Sequence, residues 1–290
     1  MRVTQSMLAN NSLRHLSNTY SRMGQLQEQL NTGKKITRPS DDPVSAMKGI
    51  AYRTNVLQTE QFKRNFSEAH TWIDNTDAAL DQATKAMHRI RELTVQGSNG
   101  TLDDGQLDAI SMEVKEIMKQ LENIANTEVG GKYIFNGTDT DMQPVNLADD
   151  PPKYPTNTAD VKFELSKGIT VPVNTKPENV FSEEFFTSIQ NLVNDLQAGN
   201  DVNSHLSVLD GQIDHLLKER ASLGARANRI ELMEQRVDQQ EEISKKMMSD
   251  NEDVEYERVI TELIMEESLL RASLSVGSRI VQPTLVDFLR

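Results

Sequence analysis

The sequence predicts a mainly α protein: an elongated antiparallel helical bundle or coiled coil, its N- and C-terminal helices paired, with a small β module inserted. Three observations carry that prediction. Apolar residues recur at alternating spacings of four and three near both ends of the 290-residue chain, the pattern of a helix with one buried seam. Six of the nine prolines crowd between Pro144 and Pro177, where the helical period stops. Charged residues make up 26 % of the chain and aromatic ones only 5 %, which suits long, partly exposed helices better than one compact globule.

The first helix carries the stripe Ala9, Leu13, Leu16, Tyr20, Met23, Gln27, Leu30, and Asn31–Thr32–Gly33 supplies its stop. The stretch GKKITRPSDDPVSA, residues 33–46, then breaks the chain. Pro39 and Pro43 push Arg38 and Asp42 away from helical backbone angles, Ser40 or Asp41 can cap the next helix, and Pro43 is tolerated in its first turn. The second helix repeats the alternation through Phe62, Phe66, Ala69, Ile73, Thr76, Leu80, Ala83, Met87, Ile90 and Thr94. After GSNGTLDDG a third stripe runs Leu107, Ile110, Val114, Ile117, Leu121, Ile124. From 137 to 180 short alternating runs such as VKFELS and ITVPVNT read as a few strands joined by polar turns. So short a module cannot supply a core of its own and must lean on the helices. Helix resumes at SEEFFTSIQNLVNDLQAG, with acids in its first turn and Gly199 as its stop. The longest stripe follows, Leu206 to Val237, with Arg220 and Glu234 at two of its positions. After the polar stretch SDNEDVE, the last stripe runs Tyr256, Ile260, Leu263, Glu267, Leu270, Leu274, Gly277, Val281, and the chain ends in LVDFLR.

Charge is distributed unevenly. Residues 1–64 hold ten Lys/Arg against four Asp/Glu, a net of +6 within a total of −13. A basic arm can bind nucleic acid or an acidic membrane, but this one lacks interleaved aromatics and the remainder of the chain repels phosphate. The more acidic last helix is the simpler mate, and the expectation is no nucleic acid and no membrane as partner. There is no run of about 18 apolar residues for a membrane span, and MRVTQSMLANNSLRHL does not read as a secretory signal. The acid-free, Ser-rich first 27 residues also fit a mitochondrial transit peptide; the patterned chain beyond residue 30 argues against it.

Chemistry is hard to nominate. Cysteine is absent, which removes disulfides, thiolate catalysis and cysteine-bound metals. The five histidines, at 15, 70, 88, 205 and 215, show no i, i+4 pair and no HExxH; NGTDTDMQ lacks the spacing of a calcium loop; and no phosphate-binding or nucleophile-elbow motif occurs. Paired acids such as Glu241–Glu242 lie in helical, charge-rich context and read as a solvated face. The expectation is a non-enzymatic chain with no cofactor, no metal ligand and no catalytic residue.

Three stretches resemble the bacterial flagellins and hook-associated proteins: GKKITRPSDDPVSA, RASLGARANRIE, and EDVEYERVITEL…LLRASLSVGSRIVQPTLVDFLR. Pro39 and Pro43, GGKYIFNGT and the terminal LVDFLR resemble the members that join hook to filament more than the filament subunit itself. The resemblance implies a secreted structural protein of the extracellular flagellum, exported unfolded and stacked into a tube built from paired terminal helices. It implies as partners hook-associated protein 1, flagellin, copies of this chain, and an export chaperone with its export apparatus. Flagellin itself, or a cytosolic coiled-coil scaffold, stands as the alternative. Three parts are expected: 1–40 with 251–290 as a terminal-helix core arm, 41–136 with 181–250 as a helical bundle, and 137–180 as the β module. Residues 1–40 and 255–290 are expected to be mobile in a lone subunit, because an isolated arm leaves its apolar stripe wet. The candidate assembly residues are Leu13, Leu16, Tyr20, Met23, Leu30, Ile260, Leu263, Leu270, Leu274, Val281, Leu285 and Phe288. The candidate joint residues are Arg38, Pro39, Asp41, Asp42 and Pro43.

Overall fold

A computed structural model of the chain describes residues 5–99 and 102–281, with backbone alone at residues 5, 6, 8, 9 and 278–281. Leu285 and Phe288 lie outside the described residues, as does the side chain of Val281. Six helices, α1 (Gln5–Thr32), α2 (Pro43–Gly97), α3 (Asp104–Ala125), α4 (Glu183–Ala198), α5 (Asn203–Glu252) and α6 (Tyr256–Val281), account for most of the described chain. Between α3 and α4 run β1 (Glu128–Val129), β2 (Lys132–Tyr133), β3 (Lys162–Ser166), β4 (Ile169–Pro172) and a short 3-10 turn, Pro177–Asn179. The chain divides into two units, one formed by residues 1–58 and 240–290 and the other by residues 59–239.

The central unit, 59–239, holds the core. Along α2 every member of the expected stripe from Phe66 to Thr94 is buried, and Phe62 is half-buried. The two threonines on that stripe keep their hydroxyls satisfied by donating to the carbonyl one turn back, Thr76 to Trp72 and Thr94 to Ile90, each at 2.8 Å. Helix α3 opens on a capping box, Asp103 with Gln106, and buries Ile110, Val114, Leu121 and Ile124. Helix α4 starts on the Ser182 cap and stops at Gly199, whose φ of 66° is the left-handed conformation that ends helices. Its acidic first turn, Glu183–Glu184, faces the positive end of the helix dipole.

Within this unit α5 packs its long stripe inward at Leu209, Ile213, Leu216, Leu223, Ile230 and Val237. The two polar stripe positions find polar partners on α2. Arg220 reaches Asp77 at 3.0 Å and Asp81 at 2.8 Å, and Glu234 meets His70 Nε2 at 2.9 Å. A charge on a core-facing line is tolerated only with such a partner.

The β module is two small antiparallel hairpins. β1 and β2 turn over Gly130–Gly131, both at positive φ, and β3 and β4 pair Phe163 with Val171 across a turn at Gly168. The first hairpin lies before residue 137, and much of 137–161 is irregular chain tied by side-chain to backbone bonds. Leu165, Val171 and Val173 are buried in one continuous core with Ile134, Phe135, Phe181 and the helices, so the module shares its apolar burial with them. Phe181 sits at the middle of a ring cluster, 4.9 Å from Phe135, 5.8 Å from Phe185 and 6.3 Å from Phe186 between centroids.

The terminal unit is built differently. Helix α1 pairs with α6 in antiparallel fashion, Arg22 lying beside Glu266 while Ser12 and His15 share a groove with residues up to Val276. The inward positions on α1 are Ser12, Leu16, Thr19, Met23, Leu26 and Leu30; on α6 they are Val259, Leu263, Glu266, Leu270, Ser273 and Gly277. Both series keep the four–three alternation. At every other position, however, the seam lies one residue to the side of the apolar stripe read from the sequence. Among the described residues of this unit, Val56 and Val259 are the buried apolar side chains.

Candidate assembly surfaces and the helix joint

The joint is made where the two helix breaks meet, 33–42 after α1 and 253–255 after α5. Gly33 ends α1 in the left-handed region (φ 69°), its N–H donating to the Gln29 carbonyl at 2.8 Å. The Lys35 amide then donates to the Glu252 carbonyl at 2.7 Å, and the Val254 amide to the Gly33 carbonyl at 3.0 Å, so the two breaks are stitched antiparallel. Around this stitch, Glu252 is buried, 7 % exposed. Its carboxylate accepts Arg53 at 2.7 Å and lies 3.4 Å from the Lys34 ammonium, which also holds Asp253 at 2.6 Å. A carboxylate removed from water needs such cations, and here it has two. The same pairing holds Asp253 below the usual carboxylate range, through the Lys34 hydrogen bond first and Ser249 second, and raises Lys34, mainly through Asp253.

Asp42 is the cap that restarts the chain. Its carboxylate accepts the Val44 and Ser45 amides at 3.0 and 3.2 Å and the Ser45 hydroxyl at 2.7 Å, which lowers its pKa, the hydroxyl contributing most. Pro43 is the first residue of α2, where its missing N–H costs nothing. Asp41 instead closes the preceding turn, accepting the Arg38 amide at 3.1 Å while its own amide donates to the Arg38 carbonyl at 3.0 Å. Arg38, Pro39 and Pro43 are exposed, and the Arg38 guanidinium lies 4.0 Å from Glu28. Lys34, Arg53, Glu252 and Asp253 were not among the expected joint residues. No local motif marks them; the polar stretch around 250 was the one hint that the second break would lie against the first.

The terminal unit also holds most of the large apolar side chains that face water. Leu13, Leu57, Met47, Ile50, Tyr20 and Val44 are all more than half exposed, as are Tyr256, Ile264, Met265, Leu269 and Val276. Of the expected assembly residues, Leu13, Tyr20, Ile260 and Leu274 are exposed, whereas Leu16, Met23, Leu30, Leu263 and Leu270 are half-buried along the α1–α6 seam. Among the described residues no group of three or more His, Asp or Glu is placed to hold a metal ion, and no described helix is long and apolar enough to cross a membrane.

Comparisons with known proteins place the chain in a family. Residues 3–140 match the bacterial flagellin N-terminal helical region, and residues 206–289 match the bacterial flagellin C-terminal helical region. Flagellar hook-associated protein 3 of Escherichia coli (strain K12) is 25 % identical across 94 % of this chain and 95 % of its own length. Its counterpart in Salmonella typhimurium is also 25 % identical, with the same coverage. A flagellin from Bacillus subtilis is 28 % identical over 80 % of each chain. The fold recurs in a solved hook-associated protein-3 from Legionella pneumophila, at 17 % identity, covering 69 % of this chain and 98 % of that one with a TM-score of 0.63. A flagellar hook-associated protein from Vibrio parahaemolyticus reaches a TM-score of 0.68 at 20 % identity, covering 73 % of this chain and all of the other. With flagellin models matched at both ends and hook-associated protein 3 relatives running nearly its whole length, the chain belongs to the bacterial flagellin family.

Proposed function

We propose that this chain is a structural adaptor of the bacterial flagellum, joining the hook to the flagellin filament by self-assembly through its terminal unit. The observation that carries the reading is the contrast between the two units. The central one buries a continuous core, whereas the terminal one exposes Leu13, Tyr20, Met47, Ile50, Ile264 and Met265 and buries almost nothing apolar. Each such side chain left wet forfeits roughly 1.5–3 kcal/mol that a neighbour's surface supplies on assembly. The α1–α6 pair is therefore marginal in a lone subunit and completed in the assembly. The hook-associated protein 3 relatives match more of the chain than the flagellin does, which favours the junction over the filament body. On this reading the neighbours are hook-associated protein 1 below, flagellin above and copies of the chain alongside. An export chaperone holds the C-terminal arm before secretion to the cell exterior, and the joint at 33–46 turns the chain from tube-core arm to outer bundle. The role is mechanical and needs no catalysis.

The test is deletion of the gene in its bacterium, with hooks viewed by electron microscopy and flagellin assayed in the medium. Bare hooks with shed flagellin are the expected result. Hooks bearing intact filaments overturn the reading, and bare hooks without shed flagellin favour the filament subunit.

A further inference from the structure

The seam of the α1–α6 pair sets a heptad frame, and that frame sorts the exposed residues into two different sides. With Ser12, Leu16, Thr19 and Met23 as seam positions, His15 and Arg22 flank the seam on one edge of α1, and Leu13 and Tyr20 on the other. On α6 the same frame puts Leu269 and Val276 on one edge, and Ile260, Glu267 and Leu274 on the other. The structure shows which edges share a side: His15 and Arg22 line a single groove of about 680 Å³ together with Leu269 and Val276, floored by Ser12, Thr19 and Ser273. In an antiparallel pair the remaining edges then share the opposite side. There Leu13, 64 % exposed, and Tyr20, 51 %, stand with Ile260 and Leu274 as a protruding apolar ridge, with the half-buried Glu267 on the same edge of α6.

We propose that the ridge of one copy seats in the groove of the next, so that α1–α6 pairs pack side by side, head to tail. This rests on the self-assembly reading above and adds the faces that meet. Three features favour a second copy as the occupant. The small seam residues Ser12, Thr19 and Ser273 leave the groove its depth beside Leu269 and Val276, and the ridge offers the large side chains of Leu13, Tyr20, Ile260 and Leu274 to fill it. The charges are complementary, since the groove carries Arg22 and the ridge carries Glu267. Arg22 is held only weakly within its own chain, 3.4 Å from Glu266 and 73 % exposed, so it is available to a neighbour. Because ridge and groove are different patches on opposite sides, their contact is heterologous, which generates rings or helical tubes and not closed pairs.

The absence of cysteine makes the test direct. In the gene-deletion strain, full-length chain carrying Leu13→Cys is combined with a second cysteine at Leu269, Ser273 or Val276, three levels along the groove. Flagella are purified, oxidised mildly and run without reductant. Leu269 and Val276 lie on the side opposite Leu13 and cannot bridge to it within a chain; a bond to the seam residue Ser273 within one chain would run as monomer, so the ladder reports bonds between copies. The expected result is a ladder of trimers and larger species from at least one double variant, and monomer from each single variant. Dimers from Leu13→Cys alone would mean that ridge meets ridge and would overturn the proposal. So would monomer from all three double variants on flagella that carry filaments. If the cysteines prevent assembly, Arg22→Glu and Glu267→Arg decide. Each alone should cut filament number several-fold and the two together restore it; no restoration overturns the contact. Failure of the self-assembly reading shows separately, as filaments that persist when the gene is deleted.

Discussion

Replacing Phe181 by Ala tests whether the β module and the helices of the central unit form one core. The ring is 0 % exposed and meets three others, edge-on to Phe135 and Phe185 and stacked on Phe186. Truncation of a buried Phe costs about 3–5 kcal/mol, the upper part of that range applying where the site cannot collapse. Collapse is resisted here: Phe135 comes from the chain leading into the module and Phe185 and Phe186 from the fixed first turn of α4, each ring packed against others. Aromatic pairs add about 0.5–1.5 kcal/mol each beyond area burial, so the expected loss lies near 4–5 kcal/mol. Urea unfolding followed by the single tryptophan, Trp72, buried on α2, reads it out as a fall in midpoint at unchanged slope. A loss below about 2 kcal/mol, or a second, earlier transition that belongs to the module alone, would mean that module and helices do not share one core.

Further outcomes follow from the joint. Asp42→Ala removes the acceptor for two amides and a hydroxyl and should lower the melting temperature, with Asp42→Asn recovering much of the loss in the same thermal melt. Glu252→Ala leaves Lys34 and Arg53 without their shared carboxylate; since both cations are partly exposed, the cost is about 1–2 kcal/mol. It should appear as shed flagellin and not as a change in central-unit unfolding. The pH response has a defined sign. Asp253 is depressed in the folded state, so its contribution is present above the ordinary carboxylate value of about 4 and lost as pH falls through the depressed one. Lys34 is raised, so its contribution holds up to the ordinary lysine range and is lost as pH rises through the raised value. An NMR titration of the Asp253 carboxyl should therefore report below the ordinary range in the native chain and return toward it in Lys34→Ala; equal values in both would contradict the pairing.

The central unit was legible because each of its stripes is the line along which burial is greatest. Phe66 through Thr94 and Leu209 through Val237 point inward as their spacing dictates, and even Arg220 and Glu234, anomalous by hydropathy, kept the register because Asp77, Asp81 and His70 face them. The same logic mislocates part of the α1–α6 seam. Hydropathy selects Leu13 and Tyr20 over Ser12 and Thr19, and Ile260 and Leu274 over Val259 and Ser273, but in a unit without a core of its own the most apolar line is not the inner one. The joint was half legible. Gly33, Pro43 and the paired Asp announce a stop and a restart by local chemistry, whereas the stitch from Lys35 to Glu252 and the cations around Glu252 depend on pairing across more than 200 residues, which no short pattern encodes.

On this reading the terminal unit is incomplete until neighbours cover it. Hydrogen exchange of the dilute full-length monomer tests this most directly. Amides of α1 and α6 should exchange orders of magnitude faster than those of α3, α4 and the core-facing part of α2, because few buried apolar contacts hold the pair closed. Protection of α1 and α6 equal to that of the central unit would mean that the pair is stable alone and needs no neighbour to complete it.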